Sequence, residues 1–495
     1  VTLKIYNTFT RRKEEFAPLV KGQAGMYVCG PTVYGDSHVG HAKSYVSFDL
    51  IIRYLRYLGL KVLYVQNITD VGHLTDDADE GEDKIEQRSK IDRIHPMQIA
   101  ETYTRSYFED MDAMNVVRPD ISPRATGHII EQIELIKKLI EKGFAYVVNG
   151  SVYFEVSRDK EYGKLSGRKP EELEAGTRVD PNPEKRHQND FALWKKAGAG
   201  HLMQWPSPWG LGFPGWHVEC SAMSMKYLGE TFDIHGGGLD NQFPHHESEI
   251  AQSECATGKP FVKYWVHNNL VTVGNQKMGK SLGNVILLKD AFKSYSPLVI
   301  RFFILQSHYR STLDFSTGAL DGAAKGWEKL VNTVRNIGTE LSKRDGHGGG
   351  VSTPGRTESA MLSKAGLAQV RKKLLEALDD DFNAPQAIAG LFDLSRDLNN
   401  AMSQGAVSTE MLREAGRVFS EFGGTILGIL PGEEGHAGAG NAALEADLIQ
   451  FIIDLRTAAR AEKMFSFSDR IRDGLAKLGV LLEDKKDGTV WKKAD

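Results

Sequence analysis

Within its first 65 residues the chain runs through a short apolar strand, a Gly- and Pro-bearing loop, an amphipathic helix and a second strand, an order few folds accept. Met26 to Cys29 reads as the first strand, and Ala42 to about Leu58 as the helix, with Val46, Leu50, Tyr54 and Leu58 on one face and Gly59 as its stop. Val62 to Val65 is the second strand. Two strands joined by a helical crossover lie parallel, so the sequence predicts a Rossmann-like doubly wound α/β domain at the start of the chain.

At 495 residues the chain exceeds one ordinary core. We divide it into a first catalytic-type half over 1–123, an insertion over 124–211, a second half over 212–268 and a loop-bearing region over 269–325. A helical bundle over 326–431 and a small terminal unit over 443–495 follow. In the insertion, Ile129, Ile133, Ile136 and Ile140 mark a helix and Val152 to Phe154 a strand. The bundle rests on three helical runs, Leu330 to Leu341, Leu367 to Leu378 and Ile388 to Leu398, the last opened by Asn383 and Pro385. Gly-rich breaks around Gly346 to Gly355 and Gly432 to Gly440 read as linkers.

Composition excludes several classes. The first twenty-five residues hold Lys4, Arg11, Arg12, Lys13, Glu14 and Glu15 without an apolar run, so they read as neither secretory signal nor membrane anchor, and no later stretch is apolar enough to span a bilayer. Three widely spaced cysteines, Cys29, Cys220 and Cys255, argue against a disulfide framework and for a reducing compartment, by default the cytosol. The formal net charge of -4 exerts no general pull on polyanions, so any nucleic-acid contact must use local basic faces. One such face is the end of the chain, with ten Lys and Arg against seven Asp and Glu from Arg456 onward.

Three constellations carry chemistry, each beside a blander reading. His38-Val39-Gly40-His41 puts two histidines at a helix start, where unpaired backbone N–H groups accommodate phosphate; a pair of structural histidines fits the same pattern. Lys277-Met278-Gly279-Lys280-Ser281 supplies two lysines that can meet a triphosphate, or only a solvated loop. Gly274 to Ser281 also fits the P-loop spacing, and Gly279 to Gly283 the nucleophile elbow of a hydrolase, but Leu282-Gly283-Asn284 gives no sign of the helix both require. In the third constellation, Cys29, Cys220, His245 and Glu249 are ordinary zinc-ligand types, and His245 and Glu249 share a helix face starting after Pro244. Spacing alone equally allows inert buried cysteines and surface histidines, and leaves His246, Glu247 and Cys255 as competing ligands.

Taken in order, these segments resemble the cysteine-specific class I aminoacyl-tRNA synthetases. His38 to His41 is similar to the HIGH signature, and Lys277 to Ser281 to KMSKS with Gly279 where serine is usual. Cys29 to Asp36, Asn67 to Asp70, Gly215 to Met223, His235 to Glu249, Asp379 to Asn383 and Ala461 to Trp491 extend the resemblance over nearly the whole chain. It implies an enzyme that activates L-cysteine with ATP and magnesium and loads it onto tRNA-Cys, without an editing domain.

The same resemblance implies one zinc ion on Cys29, Cys220, His245 and Glu249, selecting the substrate as its thiolate. It implies catalytic and ATP-binding roles for His38, His41, Lys277 and Lys280, ATP contacts from Gly30 and Thr32, and an amino-acid pocket of Cys29, Thr69, Trp216, His235 and Asp240. The bundle and terminal unit are expected to read the anticodon, with Phe465 and Phe467 filling a small core and Trp491 as the better base-stacking candidate. A monomer is expected. The rival within the fold is a cysteine:amino-sugar ligase of mycothiol biosynthesis, and the rival outside it a P-loop NTPase.

Overall fold

The computed structural model describes residues 2–75, 81–168, 182–279, 282–346, 362–430, 439–485 and 488–493. An antiparallel pair, β1 (Lys4–Asn7) and β2 (Arg12–Glu15), precedes β3 (Gln23–Val28), α1 (Val39–Tyr57) and β4 (Lys61–Gln66). Gly59, at φ +83°, ends α1 in the left-handed conformation that glycine adopts without strain. Helices α2 (Lys84–Asp92) and α3 (Pro96–Ala113) come next, capped by Asp83 and His95.

Helix α4 (Ile129–Glu141) begins a smaller layer with an antiparallel sheet in the order β5 (Ala145–Val148), β6 (Ser151–Phe154), β7 (Phe191–Lys196), β8 (Gly212–Pro214). The chain then returns to the first sheet through α5 (Trp216–Leu228), β9 (Phe232–Gly238), α6 (His245–Thr257) and β10 (Val262–Asn268).

That sheet is parallel throughout, in the order β10-β9-β3-β4. Strand β3 is joined to β4 on one side and pairs with β9 on the other, so the crossovers leave β3 in opposite directions. Such a switch point opens a crevice at the carboxyl ends of the two central strands. Cys29 follows β3 directly and donates its N–H to the Gly236 carbonyl of β9 at 3.0 Å, placing a thiol at the mouth of that crevice.

Beyond β10 lie β11 (Val271–Val273), β12 (Gln276–Lys277), α7 (Leu288–Ser294), α8 (Pro297–Leu305) and β13 (Leu313–Asp314). The bundle follows as α9 (Thr317–Gly346), α10 (Lys364–Asp379), α11 (Ala384–Ser403), α12 (Thr409–Val418) and a π-helical turn, Phe419–Ile426. Asn383 caps α11 with its side chain on the Gln386 N–H. In α8 the fully buried Arg301 pairs with Asp49 of α1 and donates to the carbonyls of Leu427, Met114 and Asn115. A buried charge satisfied this completely ties α1, α8 and the end of the bundle together.

Residues 431–495 form a separate compact unit: α13 (Ala439–Ala461), α14 (Phe465–Lys477) and the hairpin β14 (Val480–Lys485) with β15 (Gly488–Lys493). Ile449, Ile453, Leu475 and Val480 make its core, and Trp491 packs against them. Phe465 and Phe467 are 59 % and 46 % exposed. This reverses the expectation from sequence: the tryptophan supports the core and the phenylalanines face outward. In the first turn of α14 only Ser468 is buried, so that turn meets the unit with a small polar side chain and leaves both phenylalanine rings outside. No helix among the described residues is long and apolar enough to cross a membrane.

Candidate active site

A cavity of about 300 Å³ lies at the switch point, lined by Cys29, Gly30, Thr32, His41, Thr69, Trp216, Cys220, Asp240, His245 and Lys277 among others. It brings the third constellation to one end and the two signature segments to the other.

At the first end, single donor atoms of Cys29, Cys220, His245 and Glu249 lie within 4.8 Å of one another. They come from three segments: Cys29 from the end of β3, Cys220 from α5, and His245 and Glu249 one turn apart on α6. All are buried. His245 Nε2 stands 3.1 Å from Glu249 Oε1, while its Nδ1 meets His217 Nδ1 at 2.9 Å, so the outer nitrogen is held and the inner one faces the cluster. Glu249 Oε2 is occupied by His235 Nε2 at 2.8 Å.

Among the described residues, no cation stands with the groups that act most strongly on the two thiols. Burial, reinforced by Glu249 and Glu219 and only partly offset by the Cys220 contact, pushes Cys29 up to about 12, and burial likewise drives Cys220 well above the ordinary thiol range. Two sulfurs, an imidazole and a carboxylate converging without a positive charge fit a bound metal ion, which would supply that charge and deprotonate the thiols.

A second grouping, Cys29, His235, His246 and Glu249, shares two of these residues. His246 Nε2 is 3.2 Å from Cys29 Sγ, and its Nδ1 meets His267 Nε2 at 2.8 Å, which in turn reaches Thr8. His235 and His246 stand behind the cluster, off the cavity wall, whereas Cys29, Cys220 and His245 line it. Only the first grouping therefore leaves one side open to a ligand, the arrangement of a catalytic rather than a closed structural site. Glu247 is spent elsewhere, accepting the N–H groups of Leu165 and Ser166, and Cys255 belongs to neither grouping.

At the other end, His38 caps α1. Its Nδ1 accepts the N–H groups of Gly40 and His41 at 3.1 and 3.3 Å, and His41 Nδ1 accepts the His38 N–H at 3.3 Å. The rings stack with centroids 3.8 Å apart. Val39 donates its N–H to the Ile286 carbonyl. The unpaired N–H groups expected at this helix start are thus already used. Since each Nδ1 is an acceptor, each neutral ring carries its proton on Nε2. The rings, not the backbone, are the donors here.

Glycine is required twice. A Cβ on Gly30 would stand 1.5 Å from the Asn67 carbonyl oxygen, and one on Gly40 would stand 2.9 Å from the His38 ring and 3.1 Å from Met278. The second contact shows how the two signature segments meet. Lys277 lines the cavity from β12 and is exposed; Asn284 braces the turn by accepting the Gly279 N–H at 2.8 Å. Lys280 and Ser281 lie outside the described residues. Gly274 and Asn275, both at positive φ, form the tip of the β11–β12 hairpin, and the next α-helix among the described residues is α7. The P-loop and nucleophile-elbow readings fail on this geometry, since both need a helix straight after the loop.

Thr32 Oγ1 meets His73 Nδ1 at 2.6 Å, and the His73 ring stacks on Trp216, which stacks on His245. Asp240 is exposed on the cavity wall. Lys84 also lines the cavity, with Nζ 2.8 Å from His73 Nε2, and Glu219 lies next to Cys220 with Thr69 donating to it. Sequence reasoning passed over His73, Lys84 and Glu219. The capping pattern Asp83-Lys84-Ile85-Glu86 could have flagged the helix that carries Lys84, and the cysteine itself could have flagged Glu219.

Residues 15–325 match the family model for the tRNA synthetases class I (C) catalytic domain, and residues 373–431 that for the DALR domain. The cysteine–tRNA ligase of Chlorobaculum tepidum is 52 % identical over 501 residues, spanning 99 % of each chain. Those of Deinococcus radiodurans and Thermus thermophilus are 49 % and 48 % identical, again over 99 % of this chain and 97 % and 99 % of theirs. In fold, the chain is similar to Mycobacterium tuberculosis methionyl-tRNA synthetase in complex with methionyl-adenylate, with a TM-score of 0.57 at 16 % identity over 82 % of this chain and 88 % of that one. The Agrobacterium radiobacter LeuRS–tRNA–LeuAMS complex gives 0.57 at 12 % identity, over 83 % and 85 %. With relatives half identical along their whole length and a catalytic-domain match that spans the cavity, the chain belongs to the cysteine–tRNA ligases, a family of class I aminoacyl-tRNA synthetases.

Proposed function

We propose that the cavity activates L-cysteine at its sulfur-lined end and ATP at its histidine end, then passes the cysteinyl group to the terminal adenosine of tRNA-Cys. One observation carries the reading: Cys29, Cys220, His245 and Glu249 converge, the first three on the wall of the same cavity that His41 and Lys277 line. Those four residues would hold a zinc ion, which when bound favours a thiolate over the hydroxyl of serine, and His235 and His217 fix the outer faces of Glu249 and His245.

The substrate carboxylate attacks the α-phosphorus of ATP, carried with magnesium, and pyrophosphate leaves. His38 and His41, each with Nε2–H as donor, and Lys277 with Lys280 neutralise the charge that builds on the phosphates. Gly30, whose missing side chain lets the strand ends at Cys29 and Asn67 pack together, offers backbone to the nucleotide on the cavity wall, and Thr32 is held for contact by His73. Trp216, Thr69 and Asp240 border the amino-acid end. In the second step the ribose hydroxyl of the transfer RNA attacks the adenylate carbonyl. In our division, 1–123 and 212–268 build this site, 124–211 is the connective insertion, 269–325 carries the signature loop, and 326–431 with 443–495 bind the RNA, in a monomeric cytosolic enzyme.

A cysteine:amino-sugar ligase would share the sulfur end but has no use for a DALR domain and a further terminal unit. Cysteine-dependent ATP–pyrophosphate exchange together with charging of tRNA-Cys is expected. Exchange without charging would favour the amino-sugar reading, and exchange indifferent to cysteine would refute both.

A further inference from the structure

Glu219 lines the cavity yet has no part in the steps above. It sits in the first turn of α5, beside Cys220 and one turn from Trp216, and is 1 % exposed. Its Oε1 accepts the Thr69 hydroxyl, and Asn67 Nδ2 donates to that same hydroxyl oxygen at 3.1 Å, so the carboxylate is fixed in orientation. Its Oε2 is buried without a hydrogen-bond partner among the described residues. Buried carboxylate oxygens are almost always satisfied, so an orphan on a cavity wall points to a ligand group that completes it.

The chemistry of that group follows from position. In cysteine the sulfur and the α-ammonium sit on adjacent carbons, so a substrate whose sulfur lies at Cys29 and Cys220 must place its ammonium close by. Two carboxylates occur among the described lining residues, Glu219 and Asp240. Asp240 is exposed, where water weakens any ion pair; Glu219 is sealed at the sulfur end, adjoining Cys220 in the chain. Other lining groups near it, Thr69 and Asn67, carry no charge.

Resting on the assignment of the sulfur end to substrate cysteine, we infer that Glu219, oriented by Thr69, receives the α-ammonium of the amino acid and distinguishes cysteine from a simple thiol acid. It is a specificity residue that checks one end of the substrate while the cysteine and histidine cluster checks the other.

Calorimetric titration of the zinc-loaded full chain with L-cysteine and with 3-mercaptopropionate, which lacks only the amine, tests this. The unaltered protein should prefer cysteine by about 100-fold. In Glu219→Gln the preference should collapse to about threefold or less, with zinc content and 3-mercaptopropionate affinity unchanged. Glu219→Asp, which keeps the charge but withdraws it by one methylene, should retain an intermediate preference and carries the test if the glutamine variant does not fold. Undiminished preference in either variant, or its collapse in Asp240→Asn instead, overturns the inference. Failure of the unaltered protein to bind either thiol would instead bring down the assignment of the sulfur end, and the inference with it.

Discussion

The two ends of the cavity are built on opposite plans. At the sulfur end the metal-type ligands and Glu219 are buried, and three of them are held from behind: Glu249 by His235, His245 by His217, Glu219 by Thr69. At the phosphate end Lys277 is exposed on a two-residue strand, and the histidine pair stands on a helix terminus whose backbone donors are already engaged. Selecting cysteine over serine would need a metal held by a fixed set of ligand atoms, because the metal's preference for a thiolate, rather than the shape of the pocket, tells the two apart. Stabilising a leaving pyrophosphate needs charge delivered where it develops, which exposed cationic side chains can do. On the proposed roles, one site separates recognition from charge stabilisation along its length.

Substitutions at each end should separate the two functions. Cys220→Ser is expected to abolish stoichiometric zinc and to lower kcat/KM for cysteine by about 10³-fold or more. Lys277→Ala is expected to slow adenylate formation by about 10²–10³-fold with zinc retained. Metal analysis beside pyrophosphate exchange reads both, and loss of zinc in the lysine variant would break the contrast.

Histidine 38 sharpens it, because its ring combines a cap with a donor. His38→Asn keeps an acceptor for the Gly40 and His41 N–H groups and should leave the melting temperature unchanged while exchange falls about 10²-fold. His38→Ala should lose the same activity and a further stability of about 1 kcal/mol. Equal melting temperatures for the two variants would remove the capping role.

The smallest effect is a pH dependence confined to the buried end. Burial, with His235 adding to it, pulls His267 down to about 3, and burial also lowers His246 well below the usual imidazole range. Both are neutral in the folded metal-free protein, while the unfolded chain takes up protons near pH 6.5. The unfolded state thus binds more protons as pH falls from about 6.5 toward 3, and stability drains away over that window while staying level above it. Melting curves of metal-free protein at pH 7.5 and 5 should differ by several degrees, and His267→Gln should narrow the gap.

The fold class was legible because strand, helix and strand announced themselves near the N-terminus, and the helix after Pro244 could be read from its Pro start. The ligand grouping was legible only through resemblance. His245 and Glu249 share a helix face, but nothing in the spacing brings Cys29 and Cys220 to them; the switch point between β3 and β9 does that. Helices α2 and α3 went unnoticed although Asp83 and the His95-Pro96 pair mark their starts, because their apolar stripes are thin. The state of the helix start at His38 was also misjudged, since a ring that caps its own helix looks in sequence like any histidine. In the terminal unit, Trp491 against Phe465 and Phe467 could not be ranked without knowing which helix turn meets the hairpin.

Arg301 carries one more implication. Its guanidinium ties the middle of α1 to carbonyls at both Met114 and Leu427, and removing Asp49 would strand an uncompensated ion in the interior at a cost of about 3–5 kcal/mol. Because α1 begins at the histidine pair, the same buried ion also pins the rod on which those two rings are mounted.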